Sequence, residues 1–319
     1  MAITVVGASA WHWTQTWLDA PGPHNTEIIA ELPKGTSLAG IAERLRNAGV
    51  IKRPMLFRAF AMATDDARRL KAGEYAFPPA ASMRMILRQI TLGAVLQHRI
   101  TIAEGLTTSE ILALIAATEP LSGNLPAAPP EGSLLPETYN FPRGESRAAM
   151  IARMQTARTA LLAQAWENRM PHLPLATPEA AVILASIVEK ETSIAAERPL
   201  VAGVFYNRLR IGMALQSDPT VVYARDKGMP NNKPISRKDI AIDSPFNTYN
   251  QPGLPPAPIT NPGRAALLAV LHPAATDALY FAADGSGGHA FAASLKEHNK
   301  NVAKLRAREK AKRNYSPEQ

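Results

Sequence analysis

Residues Ala181-Val182-Ile183-Leu184-Ala185-Ser186-Ile187-Val188-Glu189-Lys190-Glu191-Thr192 decide how this chain is read. The run up to Val188 is apolar on nearly every side of a helix, the pattern of a helix inside a domain core. Thr177 and Pro178 just upstream supply an N-cap and a first helical residue, so the helix begins there. Its end carries two carboxylates into poorly solvated surroundings, and burial of a carboxyl raises its pKa. A carboxyl still protonated near neutral pH is a general acid, the group that cleavage of a glycosidic bond requires. Glu189 and Glu191 are two residues apart and point to roughly opposite sides. Glu191 shares a stripe with Leu184, Ile187 and Val188, whereas Glu189 lies with Val182, Ala185 and Ser186. The more apolar stripe gives the stronger desolvation, so Glu191 is the expected acid/base and Glu189 its competitor.

Downstream, Asn207, Gln216, Asn247 and Tyr249 are uncharged donors and acceptors of the kind that orient sugar hydroxyls and N-acetyl groups. The same residue types also hold turns and loops, particularly Asn247 beside Pro245. Asp218, just before Pro219, is either a helix cap or a substrate-facing acid. His289 follows Gly287-Gly288 and either touches substrate or finishes a glycine-rich turn. The other histidines have no metal-ligand spacing, and no phosphate-cradling loop or nucleophile elbow is present, so neither metal nor organic cofactor is expected.

Upstream, one pattern occurs twice. Residues 27–32 alternate as a strand and precede Gly35-Thr36-Ser37 and the helical spacing Leu38, Ile41, Ala42, Leu45. About seventy residues later Arg99-Ile100-Thr101-Ile102 precedes Gly105-Leu106-Thr107-Thr108 and Ile111, Leu112, Ile115. Each copy reads as strand, turn, hydroxyl cap and helix, which predicts two small related α/β units. Between them, residues 73–77 read as a strand or turn and 83–90 as a short helix. Tyr75 either presents an exposed ring to glycan or packs in a core, and alternation favours the core. Residues 146–169 have the spacing of an amphipathic helix.

With 319 residues the chain is long enough for two or three modules. Its lack of cysteine excludes a disulfide framework, a thiol nucleophile and a thiolate zinc site. Net charge is +8, with eight Lys/Arg against two Glu between Ser294 and Arg313. A solvated final helix accounts for that tail, and no nucleic-acid partner is expected. The stretch 1–10 is apolar but shorter than the roughly twenty residues that span a bilayer. Trp11, Trp13 and Trp17 follow as interfacial anchors do. This end reads as the outer half of a membrane anchor that starts upstream of Met1.

The segment 185–192, with Phe205-Tyr206-Asn207-Arg208-Leu209, Leu215-Gln216-Ser217-Asp218-Pro219-Thr220, and the stretches 244–249, 253–256, 280–285 and 289–291, resembles the endolytic murein transglycosylase, or YceG-like, family. The stretch 131–139 also resembles it, and the likeness extends over about residues 26–301. The resemblance implies an α+β protein: a LysM-like region at 26–119 after a partial anchor and linker at 1–25, a connecting segment and helix at 120–176, a mostly helical α+β catalytic domain at 177–301 and a basic tail at 302–319. It implies a substrate of peptidoglycan glycan strands, a catalytic Glu directly before Ser or Thr, here Glu191 before Thr192, and penicillin-binding proteins as partners. It also implies a single-pass protein of the inner membrane with its catalytic domain in the periplasm. Two rivals stand beside it: a muramidase-type hydrolase using Asp218 or Glu137 as a second carboxylate, and a non-catalytic cell-wall scaffold.

Overall fold

The computed structural model describes residues 16–231 and 233–315, which fold into two compact units of mixed α and β structure. The first unit comprises the chain up to Ile100, with Pro120–Ser122 and Tyr139–Glu145. Its elements are β1 (Ile28–Leu32), α1 (Leu38–Asn47), α2 (Pro54–Ala63), β2 (Gly73–Phe77), α3 (Met83–Leu92), β3 (Gln97–Thr101) and β4 (Thr138–Pro142), the last two ending at its boundary. Strands β1 and β2 pair antiparallel with Ile28 opposite Phe77 and Leu32 opposite Gly73. Ser37 and Ser82 cap α1 and α3 by accepting from Gly40 N and Met85 N. The core gathers Leu32, Leu45, Phe57, Phe77, Ile86 and Ile90 around Tyr75. That tyrosine is fully buried and its hydroxyl donates to Lys71 O at 2.7 Å, so it packs the core.

Helix α2 has no counterpart in the sequence reading; it buries only Phe57 and Ala61, one turn apart, and leaves Met55 and Met62 exposed. The two strand-helix copies are not equivalent. The strand of the first pairs with β2, whereas that of the second, β3, pairs with β4, and the helix after it packs in the other unit.

The second unit holds residues 101–119, 123–138 and 146 onward, so it cuts across the boundaries expected from sequence. It contains α4 (Thr108–Ala117), α5 (Arg147–Glu167), α6 (Pro178–Glu191), α7 (Arg198–Arg210), α8 (Asp218–Asp226), α9 (Arg237–Ile240), α10 (Arg264–Leu271), the hairpin β5 (Tyr280–Ala283) and β6 (His289–Ala292), and α11 (Leu295–Tyr315). Thr177 caps α6 by accepting from Ala180 N, with Pro178 in the first turn. Helix α6 lies at the centre, packed on α7, α8 and α10. Ala181, Leu184, Ala185, Ile187 and Val188 are solvent-free, and each large aliphatic side chain among them contributes about 1.5–3 kcal/mol by burial. Ser186 sits within this apolar run because its hydroxyl donates to Ile183 O and accepts from Ile259 N.

Asn261, also solvent-free, ties segments distant in sequence into this unit. Its amide nitrogen reaches Leu106 O, Thr108 Oγ1 and Glu131 Oε1 at 3.2, 3.1 and 2.9 Å, and its oxygen accepts from Leu134 N at 3.0 Å. Glu131 Oε1 also accepts from Thr108 N at 2.7 Å, placing a carboxylate at the start of α4, where the helix dipole favours negative charge.

Most of the expected anchor, residues 1–15, lies outside the described residues. Among the described residues no helix is long and apolar enough to cross a membrane. The expectation of a single-pass inner-membrane protein held by its N-terminus is corrected to that extent: the described residues supply no apolar helix of the roughly twenty residues a span needs.

Candidate functional site

A cleft of about 370 Å³ in the second unit opens at the C-terminal end of α6. Glu191, the last residue of that helix, lies in its wall with Arg208 from α7, Gln216 from the loop before α8, Asp218 from the first turn of α8, and Tyr249. Tyr280 and Phe281 of β5, His289 of β6 and His298 of α11 complete an aromatic side. The hairpin ring of Phe281 meets His289 edge-on at 5.6 Å, and Tyr280 stacks on His298 at 5.3 Å.

Burial pushes the Glu191 carboxyl up to about 7, with the charge of Asp218 acting in the same direction. The Ser217 hydroxyl, which donates to Glu191 Oε1 at 2.5 Å, opposes that rise, as do His289 and Arg208. Ser217 is itself held rigidly. Its N–H donates to Thr248 Oγ1 at 3.0 Å and its carbonyl accepts from Thr220 Oγ1 at 2.6 Å, all in fully buried surroundings. The residue before it, Gln216, has φ 49°, a left-handed conformation that side-chain-bearing residues rarely adopt. Its backbone N–H donates to Thr248 O at 3.0 Å, which fixes the turn while its side chain borders the cleft.

Glu189 is buried as well, less deeply than Glu191, and has different partners. Its side chain is only 4 % exposed, but Oε1 accepts from Arg198 at 3.0 Å and Oε2 from Gly263 N at 2.8 Å. Burial also raises its carboxyl, and those two donors pull it back. Both acids are thus desolvated, and they differ in that Glu189 accepts directly from a guanidinium whereas Glu191 accepts from the Ser217 hydroxyl.

The cleft brings together Glu191, Gln216, Asp218, Tyr249 and His289 among the residues singled out from sequence. Asp218 is not the cap of α8; Ser217 occupies that position, and Asp218 Oδ1 accepts from the Tyr249 hydroxyl at 2.7 Å. Burial first and Asp218 second hold the Tyr249 phenol well above its usual range. His289 Nδ1 lies 2.7 Å from Glu197 Oε2, while its backbone N–H donates to Oε1 of the same carboxylate at 2.8 Å. Glu197 also accepts from Thr192 Oγ1 at 3.0 Å, so one carboxylate fixes both the residue after Glu191 and the start of β6. His289 thus borders the cleft and also anchors the glycine turn.

Asn207 and Asn247 do not line the cleft. Asn207 Nδ2 donates to Thr276 O and Ala278 O at 2.8 and 3.0 Å, holding the approach to β5. Asn247, solvent-free, donates to Ile240 O and Ile242 O and accepts from Tyr249 N, the loop role open to it from its place beside Pro245. Glu137 is exposed and outside the cleft; its carbonyl accepts from Ile102 N.

Arg208, Ser217, Glu197, Tyr280 and His298 were not singled out from sequence. Arg208 is buried, donates to Leu279 O at 2.7 Å and Leu215 O at 2.6 Å, and lies 5.5 Å from the Tyr280 ring centroid. An arginine beside the apolar run Val201-Ala202-Gly203-Val204-Phe205-Tyr206 was the available signal, since a buried guanidinium needs several acceptors. Among the described residues no group of three or more His, Cys, Asp or Glu side chains is placed to hold a metal ion.

Fold and site together define a helical α+β unit with a cleft in which a buried carboxyl, raised to about 7, lies among aromatic and polar side chains. The chain belongs to the YceG-like family, whose pattern it matches over residues 30–304. It is 32% identical over 306 residues to the endolytic murein transglycosylase of Bacillus subtilis (strain 168), covering 86% of this chain and 84% of that one. It is 28% identical over 323 residues to the endolytic murein transglycosylase of Streptococcus pneumoniae (strain D39), spanning 86% of this chain and 58% of that longer protein. A crystal structure of a YceG-like protein from Listeria monocytogenes superposes with a TM-score of 0.57 at 31% identity, over 86% of this chain and 98% of that one.

Proposed function

We propose that this chain is a lytic transglycosylase that cuts peptidoglycan strands internally, at the β-1,4 bond from N-acetylmuramic acid to N-acetylglucosamine. The observation that carries the reading is the Glu191 carboxyl, raised to about 7 in an aromatic cleft, so that a substantial fraction is in the acid form near neutral pH and can donate. The names and extent of similarity of the relatives support the same substrate class.

In this mechanism Glu191 gives its proton to the glycosidic oxygen as the bond from that oxygen to the anomeric carbon breaks. The carboxylate left behind takes the proton of the muramic 6-hydroxyl while that oxygen bonds to the same anomeric carbon. The product ends in 1,6-anhydro-N-acetylmuramic acid, and Glu191 regains its proton. Ser217 donates to Oε1, which leaves Oε2 as the oxygen that carries the mobile proton. Gln216, Tyr249 and His289 contact the sugars, the aromatic side supplies stacking faces, and Asn207 and Asn247 act at one remove by fixing the segments that present them. The βααβ arrangement of β1, α1, α2 and β2 supports a LysM-like, glycan-binding role for the first unit.

Asp218 in the same cleft favours one alternative, a muramidase-type hydrolase in which a second carboxylate assists water. Mass spectrometry of products from purified uncross-linked glycan separates the two. Anhydro ends, lighter by one water than a hydrolysed end, are expected; reducing ends would overturn the lytic reading and leave the acid in place.

A further inference from the structure

A second cleft, of about 390 Å³, lies on the other side of Asp218, which borders both. Its chemistry differs from that of the first. Where the Glu191 cleft is lined by Tyr249, Tyr280, Phe281 and two histidines, this one has a mostly aliphatic floor of Val222, Ile235 and Ile259, with Tyr223 as its single aromatic among the described lining residues.

Its charges are arranged in opposition. Glu110 takes hydrogen bonds from Thr107 and Asp218 takes one from Tyr249, all neutral donors. Asp226, by contrast, is neutralised by Arg225 at 2.8 Å. Lys190, exposed and next in sequence to Glu191, brings an ammonium to the same cleft and is held only by a long 3.4 Å contact to Gly105 O.

A neutral polyhydroxylated sugar makes little use of a mostly aliphatic floor flanked by two acids and a lysine. A short peptide with small aliphatic side chains, a free amine and a carboxylate matches all three features. In peptidoglycan such a peptide hangs from the lactyl group of every muramic acid. Because the two clefts meet at Asp218, a muramic acid held at Glu191 has its substituent within reach of the second. We propose that the second cleft receives this stem peptide, its amine toward Glu110 and Asp218 and a carboxylate toward Lys190, so that the enzyme selects strands bearing peptides. This rests on the transglycosylase reading above.

The test compares turnover by the full chain on two uncross-linked glycans, one with its peptides intact and one stripped by an amidase. The parent should show a kcat/KM about tenfold or more higher on the intact strands, the range that filling one apolar pocket supports. Ile235→Arg, which puts bulk and positive charge into the cleft, should collapse that ratio toward one. Separately, the free tripeptide L-alanyl-γ-D-glutamyl-L-lysine should bind the parent saturably by calorimetry and fail to bind Ile235→Arg. Equal turnover of both glycans by the parent, or peptide binding unaltered by Ile235→Arg, overturns the proposal while the catalytic reading stands. Turnover of neither glycan by the parent sinks the catalytic reading, and the peptide titration then decides the cleft on its own.

Discussion

Replacing Glu191 by Gln keeps the size and the acceptor for Ser217 but removes the ionisable proton. If the carboxyl is the acid, cleavage falls by at least about two orders of magnitude. The structure adds a thermodynamic signature. In the unfolded chain this carboxyl titrates near 4.5, and in the fold burial pushes it up to about 7. Between those values the folded state holds a proton that the unfolded state has lost, so parent stability declines as pH rises. At 1.36 kcal/mol per pH unit the whole window is worth about 3 kcal/mol. Below pH 4.5 both states are protonated and the parent suffers no penalty; above 7 the penalty is complete. The amide of the Glu191→Gln variant never ionises. The gap in stability between variant and parent should therefore widen in favour of the variant from pH 4.5 to 7 and then stay level, and a domain of 150–250 residues gains about 2–4 °C in Tm per kcal/mol. Thermal melts of both proteins at half-unit pH steps would show it, beside turnover assays in the same buffers. A gap independent of pH would refute the desolvation argument, and near-parent turnover by Glu191→Gln would refute the assignment of the acid.

Ser217→Ala removes a hydrogen bond that favours the ionised carboxylate, so the alkaline limb of the pH–rate profile should move upward while kcat falls about tenfold, the scale of a lost charge-assisted bond; an unmoved limb would show that Ser217 merely packs. Arg198→Met strands Glu189 with Gly263 N alone and should cost about 3–5 kcal/mol by urea denaturation, the usual loss on breaking a buried pair. A cost under about 1 kcal/mol would show that Glu189 is solvated through another route.

Local rules reached much of this molecule. Thr177-Pro178 starts α6, Ser146 starts α5 and Thr107 starts α4 because caps act over three residues and are visible in a short window. The apolar run of α6 announces its central position. What escaped was non-local. β1 finds its partner more than forty residues away across two helices, and only one of those helices has a clear apolar stripe; α2 fully buries only Phe57 and Ala61, with Phe60 partly packed beside them. The site divides along the same line. Arg208 and Ser217 lie within the same legible motifs as Gln216, but what they and Glu197 do depends on the carbonyls and carboxylates they meet, many of them contributed by residues far along the chain. Asn207 and Asn247 have the chemistry of sugar ligands, yet backbone carbonyls occupy their amides, and composition alone does not tell one use from the other.

The junction at Asn261 bears on how this architecture is inherited. Residues 105–108, 131–134 and 261 share one set of buried hydrogen bonds, so the second unit does not begin at the helix that carries Glu191. A fragment cut at Thr177, where the sequence suggests a clean start, would leave a solvent-free amide without Leu106, Thr108, Glu131 and Leu134 and would strip α4 from the fold. Recombination between relatives at that point would join halves that cannot complete each other, whereas an exchange that carries residues 101–138 along with the C-terminal part transmits a whole unit. The heritable module is thus discontinuous, and a crossover map of the family should be sparse between about 101 and 261.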